Sequence, residues 1–201
     1  MNRAVRSDGL GVMEKASSEK GVPLPVEIDG EPNADTAVIV ALGCNDKGPW
    51  SDCREALEAA LARFRTEGID IVARSSWWSS VAWPDPTDPP FLNGMVMVRT
   101  EHDPHALMAA LGRIEDAFGR QRSVANAPRT LDLNLIAYGR LTGDLDGLIL
   151  PHPRAWQRLF VMGPLAEIAP DWIHPDKGET ARALARAATV GTDATPVGGG
   201  R

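Results

Sequence analysis

Apolar positions along the chain follow two spacings, and each change of spacing marks a new element. Residues 37–42, Ala-Val-Ile-Val-Ala-Leu, are a short apolar run rich in β-branched side chains, which predicts a buried strand. Residues 43–49 follow as a loop. Ala56, Leu57, Ala60, Leu61 and Phe64 then recur at helical spacing, with Ser51 or Asp52 placed to cap the start and Gly68 to end it. A second strand is predicted over residues 69–76. Residues 79–90 carry four prolines, Pro84, Pro86, Pro89 and Pro90, and read as a long loop. A third strand begins near Leu92 and runs through Val98. Asp103 and Pro104 open a second helix with an apolar stripe of Leu107, Met108, Leu111 and Ile114. A polar loop over residues 119–128 leads to a fourth strand over residues 131–138. Residues 153–166 read as mostly helical and residues 173–175 as a short extended piece.

The order β-α-β-β-α-β predicts an α+β chain: a ferredoxin-like core with an antiparallel sheet and additional C-terminal helices. Helices cover one sheet face and leave the other free for a site. The domain is predicted over residues 36–188. Residues 1–35, rich in Gly, Ser, Glu, Lys and Pro, read as a disordered extension, and residues 189–201 as a flexible tail.

The chain is 43% hydrophobic and 24% charged, ordinary for a globular protein. Its net charge of -6 argues against general affinity for nucleic acid or anionic membrane, so an anion site must come from locally clustered cations. No apolar run is long enough to span a membrane, and the N-terminus lacks a signal peptide's apolar segment. Cys44 and Cys53, with no histidine nearby in sequence, are expected to form neither a zinc site nor a disulfide framework. The expectation is a cytoplasmic monomer.

The fourth strand carries the clearest chemistry. Alternate strand residues share a face, so Leu131, Leu133 and Leu135 face the core while Asp132 and Asn134 sit together on the other side. A polar strand face in solvent is the plain alternative. Arg129 at the strand entrance and Ile136 on the same face favour a site for a divalent cation and a phosphate, since Mg²⁺ needs only one or two protein oxygens when phosphates and waters complete its shell. Arg113, Arg120, Arg122 and Arg129 crowd the end of the second helix and the loop beyond it. Helix-dipole complementarity can explain Arg113, but the loop arginines fit bidentate phosphate binding better. Glu115 can anchor an arginine, contact a base or ribose, or stand in solvent. His152 lies between Pro151 and Pro153, which fix its backbone, and Arg154 and Arg158 fall one helical turn apart. Phe91, Asn93 and Phe160 suit a flat heteroaromatic ligand, with core packing the alternative for the rings. Trp77 and Trp78 suit loop packing, beside Trp83 on the proline-rich loop. No Gly-x-x-x-x-Gly-Lys phosphate loop is present.

In order and spacing, these blocks resemble the 6-hydroxymethyl-7,8-dihydropterin pyrophosphokinase family of folate biosynthesis. The resemblance rests on Ala41-Leu42-Gly43-Cys44-Asn45, Phe91-Leu92-Asn93-Gly94, Arg113-Ile114-Glu115 with Gly119-Arg120-Gln121-Arg122, Ala127-Pro128-Arg129-Thr130-Leu131-Asp132-Leu133-Asn134, and Leu150-Pro151-His152-Pro153-Arg154 through Arg158 and Phe160. It implies transfer of pyrophosphate from ATP to the pterin hydroxymethyl group, release of AMP, and two Mg²⁺ ions. By position, Gly43, Asn45, Trp83, Phe91, Asn93 and Phe160 would hold the pterin, with Phe91 and Phe160 sandwiching its ring. Asp132 and Asn134 would hold metal. Glu115, Arg120, Arg122, Arg129, His152 and Arg158 would serve the nucleotide, and Asp132, Arg120 and Arg129 the chemistry. The chain departs from the family at four places: Asn134 stands where an aspartate is usual, Cys44 replaces a serine, Ser80-Val81-Ala82-Trp83 replaces a Thr-Pro-containing run, and the loop after Arg122 lacks a tryptophan found in some members. The first leaves a second reading, an impaired paralogue that binds nucleotide or pterin without turnover.

Overall fold

The computed structural model describes residues 36–82, 85–119 and 129–198. The chain runs β1 (Val38–Cys44), α1 (Cys53–Phe64), β2 (Ile69–Arg74), β3 (Trp78–Ser80), β4 (Phe91–Thr100), α2 (Pro104–Ala117), β5 (Asp132–Tyr138), β6 (Gly143–Leu145), β7 (Leu148–Leu150), α3 (Leu159–Ile168), α4 (Ala181–Ala187) and β8 (Thr195–Pro196). The residues assigned to a disordered extension, 1–35, lie outside the described residues, as does most of the loop after α2.

Local signals start the helices as the sequence predicts. Of the two cap candidates, Asp52 takes the role: its carboxylate accepts the Glu55 N–H at 2.8 Å, while Glu55 accepts the Ser51 N–H at 2.9 Å. The first bond satisfies a donor that the first helical turn leaves without a partner, and the second ties down the chain before the cap. Asp103 caps α2 through the Ala106 N–H at 2.8 Å, with Pro104 in the first turn.

The sheet order is β5-β1-β4, with β2 and β3 both paired to β4 and β8 paired to β3, all antiparallel. The ferredoxin-like core is present, with one difference on its β2 side. The strand expected over residues 69–76 ends at Arg74, after a register shift between Ile71 and Ala73. The chain then pairs again as Trp78–Ser80 against Phe91–Asn93. With 10 residues, β4 is long enough to take two partners end to end.

On one face Val38, Val40 and Leu42, Val96 and Val98, and Leu131, Leu133 and Leu135 pack on α1 and α2. The opposite face is not free, contrary to expectation. Ile39, Met95, Met97 and Ile136 form a second core there with Val161, Met162 and Leu165 of α3 and Leu184 of α4. The C-terminal helices are apolar enough to bury against the sheet, which leaves only the end of this face near Asp132 open. The first of these helices starts later than predicted. Residues 155–157 form a short 3-10 turn, and Arg158 is extended, so Arg154 and Arg158 do not share a helical ridge.

Two further expectations are corrected. Residues 190–197 are not a loose tail: the Leu159 N–H donates to Val190 O at 2.9 Å, and Thr195–Pro196 extends the sheet beside β3. Cys44 and Cys53 are joined as a disulfide, because the end of β1 and the start of α1 bring their Cα atoms to 5.6 Å. Sequence spacing alone does not reveal that approach.

Polar tethers join the layers, one buried and one at the surface. Glu115 on α2, only 3% exposed, accepts the Leu133 N–H of β5 at 2.7 Å. Glu167 on α3 accepts from the Ser76 N–H and the Trp78 Nε1–H, both at 2.8 Å. The Trp78 ring lies against Gly163, where a Cβ would come within 2.6 Å of it. Gly94 is constrained in the same way, since a Cβ there would enter the ring of buried Trp77. Gly94→Ala should destabilise the protein by about 1–3 kcal/mol through overpacking. Urea unfolding measures this, and unchanged stability would show that Trp77 can move aside freely.

Candidate active site

The site follows from the pairing of β1. Gly43 lies opposite Asn93 of β4 on one side and Asp132 of β5 on the other, and Ala41 lies opposite Asn134. A polar amide and a carboxylate thus flank a residue with no side chain, which leaves a floor between them. Over this floor is a cavity of about 160 Å³. It is smaller than the roughly 300–1,000 Å³ of drug-sized ligand sites and suits one small ring system. Gly43, Phe91, Asn93 and Phe160 line it, as do Asp132, Asn134, His152 and Arg158. Eight of the residues singled out from sequence are therefore brought together by four separate segments.

At the apolar end, Phe91 and Phe160 are half-buried rings. Asn93 is 7% exposed, and its amide nitrogen donates to Ser80 Oγ at 3.0 Å. That bond fixes the amide's orientation and commits its carbonyl oxygen as the acceptor. At the polar end, Asp132 accepts from Arg129 Nη1 at 2.9 Å and from Asn134 Nδ2 at 2.9 Å. The Arg129 side chain is partly exposed, so this ion pair orients the carboxylate more than it stabilises the fold. The Arg158 guanidinium lies 5.6 Å from the Phe160 ring centroid, which joins the two ends of the cavity.

His152 is set by its backbone. Its N–H donates to Ile136 O at 2.8 Å, and its Nδ1 accepts the Arg154 N–H at 3.2 Å. The neutral ring therefore carries its proton on Nε2, a donor suited to a phosphate oxygen. Burial, with Arg158 and Arg154 nearby, pushes its pKa below the usual histidine range; Asp132 offsets this only in part. Burial also lowers the Arg158 pKa, helped by Arg154.

Other candidates sit elsewhere. Asn45, buried at 5%, is a clamp: its Oδ1 accepts the Arg129 N–H at 2.8 Å and its Nδ2 donates to Pro89 O at 3.3 Å. It positions the Arg129 segment beside the site and does not line the cavity. Glu115 lies beneath β5 and fixes its backbone, and Arg113 turns away to pair with Glu67 at 2.7 Å. Trp77 is core, and Trp78 packs on α3 as above. Trp83, Arg120 and Arg122 lie outside the described residues. Ser80, Val81 and Val190 line the cavity without having been singled out. Ser80 and Val81 stood out only as a departure from the family's usual run, and Val190 lies in what reads as a flexible tail.

A family model described as 7,8-dihydro-6-hydroxymethylpterin-pyrophosphokinase (HPPK) matches residues 39–170. The chain belongs to this family. It is 41% identical over 156 residues to the 2-amino-4-hydroxy-6-hydroxymethyldihydropteridine pyrophosphokinase of Synechocystis sp., covering 78% of each chain. It is 37% identical over 134 residues to a mitochondrial folate synthesis bifunctional protein of Pisum sativum, covering 67% of this chain but 25% of that longer one. The crystal structure of wild-type Plasmodium falciparum HPPK-DHPS has the same fold, with a TM-score of 0.58 at 13% identity over 75% of this chain and 44% of that one. The HPPK model stops short of Val190, so that wall of the cavity lies beyond the matched region.

Among the described residues, no group of three or more His, Cys, Asp or Glu stands ready to hold a metal. One carboxylate and one amide oxygen fit an ion whose shell is completed by substrate phosphates and water.

The histidine environments make a pH prediction. His152 and His174 are both held neutral by burial, their folded pKa values below the unfolded value. Stability from this source is complete above the unfolded pKa of about 6.5 and is lost as pH falls through the folded values, because the unfolded chain takes up protons first. A nuclear magnetic resonance titration should find both midpoints below about 6.5; a His152 midpoint at or above it would refute the desolvated environment.

Proposed function

We propose that the protein transfers pyrophosphate from ATP to the hydroxymethyl group of 6-hydroxymethyl-7,8-dihydropterin, producing AMP. The observation that carries this is one cavity lined by two aromatic rings and an oriented amide, and by the Asp132 carboxylate and the Arg158 guanidinium, in a chain of the HPPK family. The second reading, a silent paralogue, has only Asn134 in its favour.

In this mechanism Phe91 and Phe160 stack on the pterin, and the Asn93 carbonyl oxygen accepts from its N–H edge. The ring is thereby held with its hydroxymethyl group toward Asp132. Arg129, His152 and Arg158 bind the phosphates, joined by Arg120 and Arg122, whose roles rest on the resemblance alone, as does that of Trp83 on the pterin side. The hydroxyl oxygen attacks the β-phosphorus in line, the bond to the α-phosphate's bridging oxygen breaks, and AMP leaves carrying that oxygen. The hydroxyl proton goes to Asp132, the carboxylate among the cavity's lining residues. Positioning and charge compensation supply most of the acceleration.

Mg²⁺ bound with ATP supplies charge neutralisation at the phosphates. Asp132 and the Asn134 amide oxygen would hold it, once the amide turned from its bond to Asp132. The resemblance implies two ions. With an amide in place of a second carboxylate, the set has one negative charge fewer and the weaker ion is held less tightly. Glu115 and Asn45 act indirectly, by fixing the strand and the Arg129 segment.

The proposed working unit is a monomer. No described helix is long and apolar enough to cross a membrane. We place the reaction in the cytoplasm, where ATP is abundant; the Cys44–Cys53 bond is the feature that runs against a reducing compartment.

Purified protein given ATP, Mg²⁺ and the dihydropterin should form AMP only when all three are present. No pterin-dependent AMP would refute the assignment. Asp132→Ala should lower kcat by about 100-fold or more. Asn134→Asp should reduce the Mg²⁺ concentration needed for half-maximal rate; an unchanged requirement would show that residue 134 does not face the metal.

A further inference from the structure

The segment from Thr189 to Val197 crosses the cavity's open flank and is tied down on both sides. On the α3 side, the Thr189 and Val190 N–H groups donate to Gln157 O at 3.0 and 2.9 Å, and Val190 O accepts the Leu159 N–H at 2.9 Å. These bonds bracket Arg158 and the first turn of α3, which needs them. Leu159 is at the helix start, where N–H groups have no intrahelical partner. Pro164 lacks the N–H that would otherwise bond the carbonyl of Phe160. On the β3 side, Thr195–Pro196 pairs with Trp78 and Ser79, and the Val197 N–H donates to Trp77 O at 2.7 Å.

Two residues of this crossing act on the cavity's walls. Gly191 has a φ of +63°, a conformation that favours glycine, and a Cβ there would enter the Phe160 ring. The Phe160 ring thus lies against the Gly191 backbone, with the Arg158 guanidinium 5.6 Å from its centroid. Asp193 accepts the Val81 N–H at 2.5 Å, next to Ser80, whose hydroxyl accepts from Asn93. Val81 and Val190 both line the cavity.

We propose that residues 189–197 form a wall of the pterin subsite, with Gly191 and Asp193 as positioning residues. Gly191 sets the Phe160 ring at stacking distance, and Asp193 sets the Ser80–Val81 segment that orients the Asn93 amide. The inference rests on reading this cavity as the pterin site. Neither residue touches the nucleotide end, so their loss should act on the pterin and not on ATP.

The test uses the full chain and its variants, with calorimetric binding of 6-hydroxymethylpterin in the presence of a non-hydrolysable ATP analogue, and steady-state kinetics for both substrates. Gly191→Ala should weaken pterin binding about tenfold, equivalent to the loss of one good ring contact, with ATP KM within about twofold of wild type. Asp193→Ala should raise pterin KM in the same selective way, and Asp193→Asn, which retains an acceptor oxygen, should recover most of that loss. In a Phe160→Ala background, Gly191→Ala should have little further effect on pterin affinity, since its target is gone. Equal penalties with and without Phe160, or parallel losses for ATP and pterin, would overturn the positioning role. Wild-type pterin affinity in both Gly191→Ala and Asp193→Ala would overturn the wall itself. A wild-type chain that binds pterin but forms no AMP would instead refute the catalytic assignment and leave the wall standing; one that binds no pterin would overturn both.

Discussion

The pairing of β1 with a neighbour on each side of Gly43 is the constraint on which the site depends. It places Gly43 between Asn93 and Asp132, so the group that can read a ring edge and the group that can meet phosphates and metal share one floor. A slip of one residue between β1 and β5 would turn Asp132 toward α1 and α2 and bring Leu133 to the site, because side chains alternate strictly along a strand. The leucines of β5 make such a slip costly: Leu131, Leu133 and Leu135 are all nearly fully buried, each worth about 1.5–3 kcal/mol of burial. Core packing and site geometry are thus enforced by the same alternation.

The sheet then carries a layer on each side, and the two layers serve different ends. The α1 and α2 layer buries the leucine face and holds β5 from below through Glu115. The α3 and α4 layer covers only part of the opposite face and stops short of Asp132, so the cavity opens where that second core ends. Glu167 and the close contact of Trp78 on Gly163 fix α3 against β3, and with it Phe160. The aromatic wall is therefore positioned by packing, while the polar end is positioned by strand pairing and by the Asn45 and Arg129 bonds.

Much of this was legible in the sequence, for local reasons. Caps at Asp52 and Asp103, the stripes of α1 and α2, and the two-residue alternation of β5 are set by neighbours within a few positions. Asp132, Asn134, Phe91, Asn93, Phe160, His152 and Arg158 could be picked out by residue type, and the folded chain does gather them around one cavity. Residue type was a poorer guide where a polar side chain faces inward. Asn45 and Glu115 look like ligand contacts in sequence, but the structure shows Asn45 buried on the Arg129 and Pro89 backbones and Glu115 on that of Leu133.

By itself the sequence determined the β-α-β-β-α-β core elements and their order, the two faces of β5 and the family to which the chain belongs, because each is written in spacings and motifs a few residues long. Only the tertiary structure decided that the second sheet face is half covered, that β4 takes two partners, that Cys44 meets Cys53, and that the chain beyond Thr189 returns to wall the cavity. Those outcomes depend on contacts between residues far apart in the chain or on backbone paths through a turn. They are chosen by the competition among long-range packings, which no local pattern records.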